Sequence, residues 1–259
     1  MVSIIIPSHH PIYLQKTIDE LLNNARGEIE VIAVLDGYWT VLNDDKRVRI
    51  VHLGKNRGMR GAINAGVAVS RGKYIMRTDE HCMFGEGYDT ILSLQCEENW
   101  IVTAKRYFLD PVQWKVMPEH PPVEHEKLVI QGGVKFAGQR WASRDEEQKD
   151  VPISETMAMQ GSMWLMRRET WNNVVGELDT ETYGPHVQDS HEMVFRLWKN
   201  DGKLMVNKST WFAHKHRSFS RTHNNGTKEN PANCEYAYSQ ALKIWGDYYQ
   251  NVIRPKWNI

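Results

Sequence analysis

Short apolar, β-branched runs alternate with segments of helical periodicity over the first 105 residues of the chain. The runs predict buried strands at residues 2–6, 29–35, 48–53, 73–77 and 100–105. Helices are expected between them, for example at residues 57–70, where Ala62 and Ala65 belong to a face of small residues. Strands that alternate with helices in this way predict an α/β fold, with a mostly parallel sheet flanked by helices.

The pattern is less regular after residue 105. The charged stretch at residues 144–150 is typical of a solvated loop. Further elements are expected as short strands at residues 157–166, 204–206 and 211–213 and as helices at residues 191–200 and 236–245. A chain of 259 residues with this pattern predicts one large domain over residues 1–259.

The composition of the chain excludes several classes of protein. Hydrophobic residues make up 41% of the chain and charged residues 25%, which is globular rather than disordered usage. Lys and Arg total 32, as do Asp and Glu, and this neutrality argues against a protein that coats nucleic acid with its whole surface. Three cysteines favour a reducing compartment. Without a signal-like start or an apolar run of about 20 residues, the sequence predicts a cytoplasmic protein with no membrane partner.

The most informative polar residues follow the fourth predicted strand. Asp79 and His81 lie two positions apart, so in extended backbone their side chains point the same way. With His214 they would form a carboxylate and two imidazoles, a set that suits Mn²⁺ or Mg²⁺. An Asp-x-His at a strand end is also commonly a turn cap or a salt bridge. A zinc site that adds Cys82 and His216 is disfavoured, because paired Cys-x-x-Cys spacing is missing.

Two further segments suit an anion. Glycines and Arg60 at the start of the predicted helix 57–70 allow close backbone approach and supply positive charge. Tight helix packing would also explain the small residues there, but it does not explain Arg60. Residues 202–228 hold no acidic residue and contain Arg217 and Arg221, which indicates either a phosphate-facing loop or a solvated basic loop.

These residues together resemble a known family. Residues 2–7, Asp36, residues 56–66 and residues 71–79 resemble the GT-A glycosyltransferases of family 2. The Asp79-x-His81 form is similar to the polypeptide N-acetylgalactosaminyltransferases of family 27, which have Asp-x-His where most relatives have Asp-x-Asp. Residues 160–164, 192–198, 202–204 and 214–217 follow that family in order and spacing.

The resemblance implies a GT-A fold and metal-dependent transfer of a hexose from a nucleoside-diphosphate sugar, most simply a UDP-sugar, to a hydroxyl acceptor. Residues 1–105 would bind the nucleotide sugar, and residues 106–259 would form the acceptor half, with a closing loop and a C-terminal helix. It implies His214 as the third metal ligand beside Asp79 and His81. The expected donor-binding residues are Pro7, His9, Asp36, Arg60, Asn64, Asp79, Trp164 and Arg221. The expected catalytic residues are Asp189, Glu192 and Arg217.

The resemblance leaves the stereochemistry and the acceptor open. Inverting family 2 enzymes carry a Glu-Asp pair before the helix at 191–200, and that pair falls on Asp189 and Ser190. Because Ser190 cannot act as the base, retention is favoured. A shift of one residue would instead make Asp189 the base of an inverting enzyme. The acceptor could be a saccharide, a protein, a small molecule or a hydroxymethylated base in DNA of the phage type.

Two other classes are compatible with the sheet. A sugar-1-phosphate nucleotidyltransferase would need a Gly-rich, Arg-containing loop after the first strand, and residues 7–10 do not provide it. A catalytically inactive sugar-nucleotide-binding module is disfavoured, because all three expected metal ligands are present.

Overall fold

The described part of the chain folds into alternating strands and helices. The structure is a computed structural model that describes residues 1–9, 12–216 and 231–259, without the side chains of residues 231–233. Its strands are β1 (Val2–Ser8), β2 (Ile29–Asp36), β3 (Val48–Leu53), β4 (Tyr74–Thr78), β5 (Cys82–Phe84), β6 (Trp100–Asp110), β7 (Lys115–Val116), β8 (Glu126–Gln131), β9 (Lys135–Arg140), β10 (Ile153–Glu155), β11 (Met163–Arg167) and β12 (Lys203–His214). Its helices are α1 (Leu14–Asn24), α2 (Gly58–Val69), α3 (Tyr88–Leu94), α4 (Ala142–Glu147), α5 (Arg168–Thr170), α6 (Thr180–Tyr183), α7 (Asp189–Lys199), α8 (Pro231–Tyr248) and α9 (Arg254–Trp257), with π-helical turns at Trp171–Val175 and Tyr249–Ile253.

A single large sheet organises these elements. Its main path runs β10-β12-β6-β11-β4-β1-β2-β3, while β5 pairs with β12 and β7 with β6. Strands β1 to β4 are mutually parallel, β12 runs parallel to β6, and β11 is antiparallel to both of its neighbours. The parallel strands β1, β2 and β4 therefore end at one edge, where parallel α/β sheets bind ligands. The α/β fold predicted from the sequence is confirmed.

The sheet is buried on both faces. Every residue of β2 is buried, which explains the unbroken run of β-branched and aliphatic side chains from Val31 to Leu35. Ile5 and Ile32 pack on one face with α2 and α7, whereas Ile4 and Val31 pack on the other face with α1. Helix α2 can approach β1 closely because Gly66 has no side chain. A Cβ atom at this position would lie 2.5 Å from Cγ2 of Ile5.

Several elements differ from the sequence-based prediction. The two strands expected at residues 204–206 and 211–213 are one strand, β12, with an irregularity between Asn207 and Trp211. The stretch expected to be a loop at residues 144–150 is largely helix α4. Strands β8 and β9 form a separate hairpin that the mixed polar composition of residues 126–140 did not indicate.

Candidate active site

Three side chains expected to bind a metal converge at one edge of the sheet. The Nε2 atom of His214 lies 3.0 Å from Oδ2 of Asp79 and 3.1 Å from Nε2 of His81. The third separation, between His81 Nε2 and Asp79 Oδ2, is 3.8 Å. His214 reaches the pair because the end of β12 pairs antiparallel with β5, and the backbone N–H of Lys215 donates to the carbonyl of His81.

Arg77 fixes the charge and orientation of Asp79. It lies two residues earlier on β4, its guanidinium is buried, and it donates to Oδ1 of Asp79 at 2.5 Å and to the carbonyl of Gly161. Burial alone would raise the pKa of Asp79, but Arg77, His214 and His81 outweigh it and hold that pKa well below its usual value. Asp79 is therefore a carboxylate at neutral pH, with Oδ2 directed towards the two histidines.

His214 is suited to act as a neutral ligand. Burial lowers the pKa of His214 despite the opposing effect of Asp79, and burial together with His214 and Arg106 lowers the pKa of His216 to about 4. An unprotonated imidazole is the form that coordinates a metal. His216 stacks on Phe108, with 4.2 Å between ring centroids, and so packs beside the cluster.

The geometry fits a divalent cation. One donor atom from each of Asp79, His81 and His214 lies within 4.8 Å of the other two. Neighbouring ligands of an octahedral ion with bonds of about 2.1 Å are about 3 Å apart, close to the two shorter separations. One carboxylate and two imidazoles leave further coordination positions for oxygen atoms of a ligand. The zinc alternative through Cys82 is not supported, because this thiol lies in the apolar core and burial raises its pKa.

His9 and Asp36 meet at the ends of β1 and β2, and Pro7 on β1 lies beside Val34 of β2. Nδ1 of His9 is 2.6 Å from the carbonyl oxygen of Asp36, and the ring also contacts the side-chain amide of Asn56. The Asp36 carboxylate accepts the backbone N–H of Arg57 at 2.6 Å, just before α2. Burial raises the pKa of Asp36, and this hydrogen bond offsets part of the effect. The expected nucleotide end therefore forms a polar cluster on the β1–β2 side of the metal ligands.

Asp189 and Ser190 lie in the first turn of α7, across from Gly161. A Cβ atom on Gly161 would lie 3.3 Å from Oγ of Ser190 and 3.8 Å from Oδ2 of Asp189. The next residue, Ser162, accepts the backbone N–H of Asp79 at 3.0 Å through its carbonyl. The Gly161–Ser162 segment thus connects the start of α7 to the metal ligands, and it places Asp189 on the side of β4 away from the nucleotide end.

The backbone before α7 is strained. Val187 and Gln188 both have φ of +56°, a left-handed conformation that is costly for a β-branched residue such as Val187. The side-chain amide of Gln188 donates to the carbonyl of Phe136 on the β8–β9 hairpin at 3.1 Å. This contact, together with the bonds that Arg60 makes to Val187, holds the strained turn in place.

Four residues expected to contact the donor or the sugar make contacts within the fold. Arg60 and Glu192 form an ion pair with both side chains fully buried. Asn64 makes two hydrogen bonds of 2.9 Å with the backbone of Leu178, and Trp164 is buried in the core against Trp171. Arg60, Asn64 and Glu192 thus connect α2, α7 and the loop before α6.

Two expected residues, Arg217 and Arg221, lie outside the described residues. The described part of the basic stretch is partly neutralised, because Lys208 has a buried side chain that lies 3.6 Å from the carboxylate of Glu124. The sequence-based reasoning missed Arg77, although an arginine in an otherwise apolar strand, two residues before Asp79, was a usable signal. It also missed that Glu80 accepts a hydrogen bond from Ser8, which in turn contacts the Tyr38 hydroxyl.

The sheet topology and the site define a GT-A glycosyltransferase domain. The sequence profile of the family described as "Glycosyl transferase family 2" matches residues 3–174, and the chain belongs to this family. The family and the GT-A fold expected from the sequence are both confirmed. In the described residues, no helix is both long enough and apolar enough to span a bilayer.

Two similar proteins extend this comparison. The "Uncharacterized glycosyltransferase EpsJ" of Bacillus subtilis (strain 168) is 31% identical over 108 residues, which cover 38% of this chain and 31% of EpsJ. The structure titled "Crystal structure of GalNAc-T7 with UDP, GalNAc and Mn2+" superposes with a TM-score of 0.75 at 12% identity, over 98% of this chain and 50% of that one. The match therefore spans about a third of the curated relative and half of the solved chain.

Proposed function

We propose that this chain transfers a sugar from a UDP-sugar to a hydroxyl acceptor and that Asp79, His81 and His214 hold a Mn²⁺ ion for that reaction. The convergence of these three side chains between the nucleotide end and Asp189 is the observation that carries the proposal. The structure of GalNAc-T7, which has the same fold, contains UDP, GalNAc and Mn²⁺ by its title, and this supports the choice of nucleotide and metal.

Different residues of the site would contribute to different parts of the reaction. In the transfer, the bond between the anomeric carbon and the diphosphate breaks, UDP leaves with the electron pair, and the acceptor oxygen bonds to the anomeric carbon. The metal, when bound, neutralises the charge that develops on the diphosphate. His9 and Asp36 would hold the uridine at the ends of β1 and β2. Arg77 keeps Asp79 ionised and directed towards the metal position.

Retention of configuration is the outcome we favour. In that case the acceptor proton passes to the departing phosphate oxygen, and Asp189 lies close to the sugar without removing a proton. Ser190, which occupies the position of the base in inverting relatives, has no acidic group, and its Oγ lies against Gly161. In the alternative inverting reaction, the carboxylate of Asp189 would accept the acceptor proton.

Binding of UDP tests the metal site. We expect UDP to bind at least about tenfold more tightly with Mn²⁺ than with a chelator, which is about 1.4 kcal/mol. Asp79→Asn should abolish this difference, because it removes the carboxylate ligand and the ionic partner of Arg77. Asp44→Asn, a change of the same type at an exposed position, is the control. Isothermal titration measures all of these affinities, and wild-type binding that is equal with and without the metal would contradict the proposal.

The anomeric configuration of the product tests the stereochemistry. NMR of the first product formed should show the configuration of the donor, and Ser190→Ala should keep most of the activity. An inverted product, together with an inactive Asp189→Asn variant, would instead identify Asp189 as the base.

A further inference from the structure

A chain of side-chain hydrogen bonds connects the metal ligands to the nucleotide end. Ser8, the last residue of β1, is buried, and its hydroxyl donates to Oε2 of Glu80, the residue between Asp79 and His81. The same hydroxyl contacts the hydroxyl of Tyr38, which follows β2. The chain therefore extends from the turn that carries two metal ligands to the segment after β2.

The direction of these hydrogen bonds follows from the chemistry of the groups. A serine hydroxyl has one proton to donate, and a carboxylate oxygen only accepts. Because Ser8 donates its proton to Glu80, Tyr38 has to be the donor in its bond to Ser8. Burial raises the pKa of Tyr38, and the charges of Glu80 and Asp36 raise it further, so the phenol keeps its proton at neutral pH. The chain thus runs from Tyr38 through Ser8 to Glu80.

The bond between Ser8 and Glu80 lies beyond the last paired residues of two strands. Strands β1 and β4 are paired in parallel as far as Ile5 and Arg77. Extending this register by three residues brings Ser8 opposite Glu80. Strand β1 itself remains paired with β2 up to Ser8. The side-chain bond therefore connects the turn after β4 to a strand end that the sheet already holds in place.

The tyrosine end of the chain lies in the polar cluster of the nucleotide end. The ring of Tyr38 packs edge-on against the ring of His9, with 6.3 Å between their centroids. Nδ1 of His9 is in turn 2.6 Å from the carbonyl oxygen of Asp36. A nucleoside held by His9 and Asp36 would therefore also restrict Tyr38, which is the first donor of the chain.

A metal ion would restrict the carboxylate end of the chain. Asp79 and His81 flank Glu80 in sequence, so an ion that binds both of these side chains also fixes the backbone of Glu80. Hydrogen bonds weaken steeply as their geometry becomes bent, so a fixed Glu80 carboxylate favours one position of the Ser8 hydroxyl. Two ligands that favour the same arrangement of a chain of groups bind cooperatively.

We propose that Glu80 is a positioning residue that couples nucleoside binding to metal binding through Ser8 and Tyr38. The inference rests on the function proposed above, which assigns the two ends of the chain to the nucleoside and to the metal. It adds a coupling that does not pass through the diphosphate of the donor. Such coupling is reciprocal, so the metal tightens nucleoside binding by the same factor by which the nucleoside tightens metal binding.

Uridine isolates this coupling, because it lacks the phosphates through which UDP would contact the metal. We expect the wild type to bind uridine about fivefold more tightly with saturating Mn²⁺ than with a chelator, which is about 1 kcal/mol. Saturating uridine should tighten the binding of Mn²⁺ by the same factor. Isothermal titration measures both affinities, and agreement between the two factors is an internal check on the measurement.

Variants assign the coupling to the hydrogen-bonded chain. Tyr38→Phe should abolish it, because this change keeps the ring and removes the hydroxyl that donates to Ser8. Glu80→Gln should weaken it, because an amide can donate to Ser8 as well as accept from it. Tyr74→Phe, the same change at the opposite end of β4, is the control and should keep the full coupling. Circular dichroism shows whether each variant folds; if Tyr38→Phe does not, Glu80→Gln and the wild-type coupling decide.

A role in the fold alone predicts a different result. In that case Tyr38→Phe would lower the unfolding midpoint and leave the coupling intact, which would overturn the proposal. Uridine binding that Mn²⁺ does not change in the wild type would also overturn it. If UDP nevertheless binds more tightly with Mn²⁺, the function proposed above stands and only this inference fails. Equal binding of UDP with and without Mn²⁺ contradicts both.

Discussion

The ion pair between Arg60 and Glu192 allows the strongest test of which polar residues serve the fold and which serve a ligand. Arg60 on α2 has no exposed surface, and it donates to Glu192 and, at 2.9 and 3.2 Å, to the carbonyl of Val187. Its guanidinium also lies 4.5 Å from the ring centroid of Tyr183. Replacing Arg60 with Met would remove all of these contacts and leave a buried carboxylate with one partner fewer.

The expected loss of stability in Arg60→Met follows from the burial of the ion pair. Breaking a fully buried ion pair by removing one partner destabilises a protein by about 3–5 kcal/mol. Arg196 also contacts Glu192 and supplies part of the compensation, so about 3 kcal/mol is the appropriate value. For a domain of this size, each kcal/mol corresponds to about 2–4 °C in Tm, so Arg60→Met should lower Tm by about 10 °C. Burial already raises the pKa of Glu192 against the opposing effect of Arg60, and losing Arg60 should raise it further.

Denaturant unfolding followed by tryptophan fluorescence measures this cost, and UDP titration at a temperature where the variant is folded measures ligand binding. We expect a lower unfolding midpoint and an unchanged affinity for UDP with Mn²⁺. The double variant Arg60→Met/Glu192→Leu should lose less than the sum of the single losses, because it leaves no unpaired carboxylate. Arg26→Met, which breaks an exposed pair, should cost less than about 1 kcal/mol. A normal unfolding midpoint with weakened UDP binding would refute the structural role and support the donor contact expected from the sequence.

Two further predictions concern the start of α7. Burial lowers the pKa of His191 to about 4, below the value of about 6.5 for an unfolded chain. The unfolded state therefore binds a proton more readily than the folded state, and the folded state loses stability as the pH falls from about 6.5 towards 4. The expected loss in the free energy of unfolding is about 2 kcal/mol between pH 7 and pH 5. His191→Gln should flatten the pH dependence of the unfolding free energy by that amount, and an unchanged slope would show that the imidazole is not buried in its neutral form. Gly161→Ala should cost about 1–2 kcal/mol, because φ is +81° and the new Cβ would lie 3.1 Å from Cβ of Ser190. Gly54→Ala, where a Cβ meets nothing within 4 Å, should have little effect, and equal unfolding midpoints for the two variants would contradict the argument.

The convergence of Asp79 and His81 could be predicted from sequence because it depends on few unknown features of the fold. Asp79 and His81 follow a strand whose burial is evident from its composition, and the two-residue period of extended backbone fixes their common direction. The separation of His214 from His81 by 133 residues gives no local signal. Its chemistry made His214 one candidate, and the family resemblance selected it. The structure supplies the physical reason for the contact, which is the antiparallel pairing of β12 with β5.

The hairpin of β8 and β9 and the full length of β6 could not be predicted with the same arguments. Both contain polar residues at positions that tertiary contacts cover, so neither shows a clear alternation of apolar and polar residues. Arg106 pairs with Glu126 across these two elements, and His125 on the same segment contacts Asp145 at 2.9 Å and Ser154 at 2.7 Å. Buried polar networks of this kind remove the hydrophobic period on which prediction from a single sequence depends.

Arg60 shows that the position of a residue around a helix carries information that its chemistry alone does not. A cation near the start of a glycine-rich helix suits an anion, and that reasoning assigned Arg60 to the donor. However, Arg60 lies three and seven residues before Ile63 and Val67, so it shares the face of α2 that the sheet and α7 bury. Glu192 likewise lies three residues before the buried Phe195 on α7. When two opposite charges are each in phase with the apolar face of a helix, the physical expectation is that they meet each other, because neither can be buried alone.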